Sequence, residues 1–140
     1  MQIGVDSVQA VDNKRLFVVD TDDITRMVLQ FMLHDENETH DLPSLEAAYT
    51  KSAQWKPDLM LLGLGVIQER GISILSEIKT RIAGSKILLV AESAGDPLVQ
   101  DCLTSGADGL LLKPLTIEVT RKKVNALLGR RRGVIPIRAV

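Results

Sequence analysis

Pro57-Asp58-Leu59-Met60-Leu61-Leu62-Gly63-Leu64-Gly65 is the stretch that decides the fold. Leu59 to Leu64 is apolar apart from Gly63, with no alternation. A strand wet on one face alternates apolar and polar residues, whereas a strand covered on both faces does not. This one therefore belongs at the centre of a parallel sheet. Gly63 stands at its carboxyl end, the edge where open α/β sheets bind ligands, and brings no side chain to it. Gly65 to Arg70 reads as a loop.

Working outward, Lys86-Ile87-Leu88-Leu89-Val90-Ala91 is a second continuous apolar strand, and Gly109-Leu110-Leu111-Leu112 a shorter one closed by Lys113-Pro114. Arg15-Leu16-Phe17-Val18-Val19 is the first strand and runs into Asp20-Thr21-Asp22-Asp23. Glu38 to Asp41 is polar and suits an edge strand. Five helices are expected between and after these strands. Any of Thr21, Asp22 and Asp23 can cap the first, whose Ile24, Met27, Val28 and Phe31 fall at i, i+3, i+4, i+7 and predict its core-facing stripe. Pro43-Ser44 starts the second, with Leu45, Ala48, Tyr49 and Ser52 inward. Gly71 opens the third, with Ile72, Leu75, Ile78 and Ile82 inward. Asp96-Pro97 starts the fourth, with Val99, Cys102 and Leu103 inward. Thr116 caps the fifth, with Ile117, Val124, Leu127 and Leu128 inward.

Strands alternating with amphipathic helices mean a parallel sheet wrapped on both sides. The expected fold is α/β, a flavodoxin-like, doubly wound three-layer domain with strand order 2-1-3-4-5 and five helices. Its switch point lies between the first and third strands, so Asp20 and Gly63 should sit side by side. The domain spans 15–128, with 1–14 a flexible leader and 129–140 a basic and apolar tail or the start of a linker.

The bulk numbers exclude several classes. The chain has 140 residues, which fits one domain that buries roughly 70% of its unfolded surface. Its net charge of −1 speaks against bulk electrostatic binding to nucleic acid or membrane. Cys102 is the one cysteine, so no internal disulfide forms and a reducing compartment fits. No run approaches the roughly 18 apolar residues of a membrane span, and the N-terminus carries no basic n-region of a signal peptide. A cytoplasmic protein is expected.

Four positions line the carboxyl edge: the acids after the first strand, Gly63, Ala91 and Lys113. Lys113 aims an ammonium toward the acids. The sequence resembles the receiver domains of bacterial two-component response regulators, the CheY-like domains, over about 15–128. The likeness rests on Leu16-Phe17-Val18-Val19-Asp20, on Pro57 to Leu62, on Gly71 eight residues after Gly63, on Gly106-Ala107-Asp108-Gly109 and on Lys113-Pro114. The resemblance implies phosphoryl transfer onto an aspartate ending the third strand. It also implies Mg²⁺ on two acids after the first strand, a hydroxyl ending the fourth, an aromatic in the fifth and a lysine ending it. A dianionic acyl phosphate needs such a cation, ammonium and hydroxyl around its oxygens.

Carried over position by position, the acceptor is Gly63, the hydroxyl position Ala91, the switch aromatic Leu110 and the second acid Thr21, with Asp22 close by. Asp20 and Lys113 alone match. The resemblance therefore implies a degenerate receiver, a pseudo-receiver that signals by phosphorylation-independent protein-protein contact and is not an enzyme. Mg²⁺ would bind weakly at most, at Asp20 and Asp22, and no other cofactor is expected. The partner would be a pathway protein or an output domain, or a second copy docked through the fourth helix, fifth strand and fifth helix. Leu98, Val119, Lys122 and Lys123 would be exposed there. The alternative is a regulatory domain that binds a small anion or ligand against Lys113 in the vacated pocket.

Other motifs carry less. Gly63-Leu64-Gly65 lacks the third glycine of a dinucleotide fingerprint, because position 68 is Gln68. His34 and His40 have no cysteine near them and read as surface residues. Ser73, Ser76 and Ser93 lack a nucleophile-elbow context. The basic run of Arg121, Lys122, Lys123 and Arg130 to Arg132 reads as a solvated helix face, with a docking surface as its functional alternative.

Overall fold

The computed structural model describes residues 13–130. The leader over 1–12 and the tail from 131 on, including Arg131, Arg132 and Val134 to Ile137, lie outside the described residues. The five strands are β1 (Arg15–Val19), β2 (Glu38–Leu42), β3 (Leu59–Gly63), β4 (Lys86–Ala91) and β5 (Gly109–Leu112). They form one parallel sheet of order β2-β1-β3-β4-β5, the expected topology.

Alternate residues on a strand point to opposite faces, and the apolar runs fill two separate cores. Phe17, Val19, Met60, Leu62, Ile87, Leu89 and Ala91 pack on one side, under α2 (Leu45–Ser52), α3 (Leu64–Arg70), α4 (Ile74–Arg81) and α5 (Pro97–Ser105). Leu16, Val18, Leu59, Leu61, Leu88, Val90 and Leu111 pack on the other, under α1 (Asp23–Leu33) and α6 (Ile117–Leu128). Every residue of β3 is buried, as its unbroken apolar run requires. Asp22, Ser44, Asp96 and Thr116 each cap the helix that follows through a side-chain oxygen. Gly129 closes α6 at φ +80°, where a side chain would strain the backbone. Among the described residues no helix is long and apolar enough to cross a membrane.

Several expectations fail. Among the described residues there are six helices, not five, because 64–70 is the helix α3 and not a loop. Val66 and Ile67 are buried beneath it, and their burial outweighs the helix-weakening Gly65. Gly71 therefore ends α3, and α4 begins at Ile74. On α1, Ile24, Met27 and Phe31 face solvent, at 66, 62 and 69% exposure. Thr25, Leu29 and Leu33 face the core instead. The helix is apolar on more than one side, so periodicity alone offers two stripes. The crossover from β1 selects the one that carries Leu29 and Leu33 down onto the sheet. On α6, Ile117 likewise faces outward and Thr120 is buried with Val124.

Candidate functional site

Strand register assembles the carboxyl edge. Val19 pairs with Leu62, so Asp20 and Gly63 leave the ladder side by side. Gly63 in turn pairs with Val90, and Ala91 with Leu112. Lys113 follows directly and donates its N–H to the Ala91 carbonyl at 2.9 Å; its own peptide bond to Pro114 is cis. Asp20, Gly63, Ala91 and Lys113 thus share one rim.

The polar groups of this rim are fastened to one another. Lys113 Nζ donates to Thr25 Oγ1 at 3.1 Å, and that hydroxyl donates to Asp22 Oδ2 at 2.6 Å. Among the described ion pairs none joins Lys113 directly to Asp20 or Asp22; the ammonium reaches the acids through Thr25. Asp22 Oδ1 accepts the Ile24 N–H at 3.3 Å. The Thr25 hydroxyl is the main reason that the Asp22 carboxyl titrates below its ordinary range, with the Ile24 N–H and Lys113 adding to it. Asp20 is 7% exposed, and its Oδ1 accepts the Asp22 N–H at 2.9 Å. Arg26 Nη1 donates to its backbone carbonyl at 2.7 Å. Burial pushes the Asp20 carboxyl up, against the opposing pull of the Asp22 N–H and Lys113.

Gly63 has φ −71° and ψ 142°, ordinary extended backbone open to any residue. Its peculiarity is spatial. A Cβ built there would overlap the Asp20 carboxyl group, meeting Oδ2 and the carboxyl carbon first, with even Oδ1 only 2.8 Å away. Gly65 is less crowded: a Cβ there would stand 3.3 Å from Thr21 Oγ1, and Thr21 itself is exposed.

Outside this pair lies an open cavity of about 500 Å³. Its charged lining is Asp20, Asp22, Glu92 and Asp96 against Lys113 alone, and Ala91 and Ser93 complete the far wall. The donor set is a poor one for Mg²⁺, which wants several well-placed carboxylates: position 63 brings none to the rim, and Asp20 and Asp22 are the acids left at the end of β1. Among the described residues no cluster of three or more ligating side chains is poised for a metal.

On the second face named from the sequence, Val119, Lys122 and Lys123 are exposed and follow an i, i+3, i+4 spacing on α6. Leu98 and Leu110 do not join them: both are half-buried and packed against the core. Arg121 is also withdrawn, its Nε donating to the Met32 carbonyl at 2.9 Å. Sequence reading missed Thr25. A threonine in register with Leu29 and Leu33, three residues after a capping aspartate, was the signal available for it.

A parallel sheet of this order, with acids after β1 and a lysine after β5, defines a receiver-type α/β domain. The response regulator receiver domain family matches residues 16–125, and the chain belongs to that family. It is 25% identical over 122 residues to the two-component response regulator PhoP of Pseudomonas aeruginosa, covering 86% of this chain and 54% of that protein. The chain thus spans about half the length of the first curated relatives it matches. It is also 28% identical over 102 residues to the chemotaxis protein CheY of Halobacterium salinarum, covering 72% of this chain and 85% of that one. A response regulator structure from Thermotoga maritima superposes with a TM-score of 0.76 at 19% identity, over 84% of this chain and 98% of that one. The chain is therefore a two-component signalling domain of receiver type. Domains of this family are regulatory and act through partner proteins or output domains.

Proposed function

We propose that this receiver domain signals through protein-protein contact without taking a phosphoryl group, as a pseudo-receiver. One observation carries the reading. Position 63, where the family's acceptor would stand, is a glycine next to a buried Asp20, and glycine offers no oxygen to phosphorylate. Ala91 gives no hydroxyl to hold a phosphoryl oxygen, and Leu110 is packed into the core with no aromatic ring to swing. Lys113 is committed to Thr25. The contact face in this reading is α5, β5 and α6, with Val119, Lys122 and Lys123 outermost. Its partner is a pathway protein, an output domain or a second copy, in the cytoplasm.

Incubation with acetyl phosphate and Mg²⁺, followed by intact-mass and peptide analysis, tests the proposal. The expected result is an unmodified chain. A phosphoryl adduct on any aspartate of the rim overturns it. The alternative, an anion bound against Lys113, has the cavity but not the charge, because four acids line it beside one lysine.

A further inference from the structure

We propose that the outward apolar stripe of α1 is a docking site for the chain's own tail, with Val134-Ile135-Pro136-Ile137 laid in extended form over Phe31, Met27 and Ile24. The stripe is the first observation. Among the described residues Ile24, Met27 and Phe31 are the three most exposed large apolar side chains. They fall at i, i+3 and i+7 on one helix, so they form one patch. Such a patch marks a place where something docks. It is also narrow. A stable interface between two folded proteins takes roughly 20–30 residues a side, whereas three side chains in a row suit one extended segment.

The second observation is where the chain leads. Arg130 Nη1 donates to Asn37 Oδ1 at 2.7 Å and to Asn125 Oδ1 at 3.0 Å, and its Nη2 to the Glu36 carbonyl at 3.4 Å. Glu36 and Asn37 lie just past the carboxyl end of α1, so the last described residue is fastened beside the end of the helix that carries Phe31. Residues 131–140 follow it in the sequence. An extended chain covers roughly 13 Å in the four steps to Val134, which brings the apolar segment to Phe31. A tether this short lets even weak pairing close within one chain.

The third is the match of spacing and charge. Ile135 and Ile137 of an extended segment project to one side about 6.6 Å apart, and Phe31 and Met27 stand about 6 Å apart along the helix axis. Pro136 between them has no N–H to leave unpaired and keeps φ extended. In this course Arg131 and Arg132 pass Asp35, which is 68% exposed, and Arg138 arrives at Asp23, 83% exposed at the other end of α1. Opposite charges at both ends set the direction, antiparallel to the helix.

NMR on the full chain carrying Ala139→Cys and a thiol-linked nitroxide tests the proposal; Cys102 is buried and does not compete for the label. The Ile24 and Met27 methyl signals should lose most of their intensity, and Ile135→Asp with Ile137→Asp should restore it. Full intensity in the labelled chain overturns the proposal, and so does a loss that the two aspartates leave unchanged. Phe31→Asp should release the tail from the helix side, read as the same recovery at Ile24; an undiminished loss overturns the proposal, and if that variant fails to fold the tail variant decides alone. A mixture of isotope-labelled chain without nitroxide and unlabelled chain with it should show no loss. A loss in the mixture equal to that within one chain makes a second copy the occupant and overturns the proposal. The measurement reads α1, whereas acetyl phosphate labelling reads the rim, so the two proposals can fail separately.

Discussion

The carboxyl edge of the sheet and the outer faces of its flanking helices spend their side chains in opposite ways. At the edge, Asp20, Asp22, Thr25 and Lys113 are bonded to one another or to nearby backbone, and Gly63 leaves no room unclaimed beside Asp20. On α1, Ile24, Met27 and Phe31 point to solvent, and on α6 Ile117 and Val119 do the same. Exposed large apolar side chains at helical spacing mark a surface with contact still to make. A satisfied rim beside uncovered helical faces supports the proposed reading, in which the domain signals by contact.

The sharpest way to break this contrast is to compare truncations on its two sides. Ile67 sits on α3 at 1% exposure, packed in the first core. Ile67→Ala should cost about 2–5 kcal/mol, from the lost transfer energy and the cavity left behind. Phe31→Ala removes a larger side chain from an exposed position and should stay within about 0.5 kcal/mol. Urea denaturation of the two variants measures both. Comparable losses would mean that the α1 stripe is packed after all, and that the outer face is not spare surface.

These two helices also show how far the sequence could be read. Four strands, the sheet order and the meeting of Asp20 with Gly63 follow from apolar runs and handedness, which are properties of single segments and of chain connectivity, whereas the polar β2 is legible only as an edge. The face of α1 did not follow. Ile24, Val28, Leu29, Met32 and Leu33 supply apolar residues on adjoining sides, and only the docked position against β1, β2 and α6 chooses between them. The helix α3 was hidden because Gly63-Leu64-Gly65 looks like a loop until Val66 and Ile67 are seen to be buried. At the rim, residue types were legible but their bonding was not. A lysine facing acids predicts an ion pair, whereas the threonine between them is visible only once the α1 face is known. The lodging of Asp20 against Gly63 depends on a side-chain torsion that no spacing reports.

A smaller effect separates the rim from the β2 edge by pH. Arg15 Nε bonds Glu38 at 2.6 Å, and with His40 it holds the Glu38 carboxyl down to about 2, from an ordinary 4.5. A lowered folded pKa contributes stability above 4.5 that is lost as pH falls toward about 2. Asp20 has the opposite sign. Its folded pKa is raised above 3.8, so its contribution is fully present below 3.8 and is lost as pH rises through the folded value. In urea midpoints taken from about pH 7 to about pH 2, Glu38→Gln should flatten the acid fall at the low end. Asp20→Asn should remove a rise in stability that the wild type shows on first acidification. Identical profiles for wild type and Asp20→Asn would mean that Asp20 is better solvated than its burial implies.

The smallest effect on stability, and the most direct on function, belongs to α6. Lys122 and Lys123 are exposed and make no ion pair among those described, so reversing them to Glu leaves the cores and the rim untouched. Each change should stay within about 0.5 kcal/mol of wild type. Contact is a different matter. Two ammonium groups stand beside the exposed Val119, and exposed charges at a contact set association rate and partner choice. If α5, β5 and α6 form the working face, Lys122→Glu with Lys123→Glu should weaken self-association in sedimentation velocity at low salt, and added salt should shrink the difference between variant and wild type. A double variant that sediments like the wild type at every concentration moves the working face elsewhere. The outward stripe of Ile24, Met27 and Phe31 on α1 is then the surface to change next, because among the described residues it holds the three most exposed large apolar side chains.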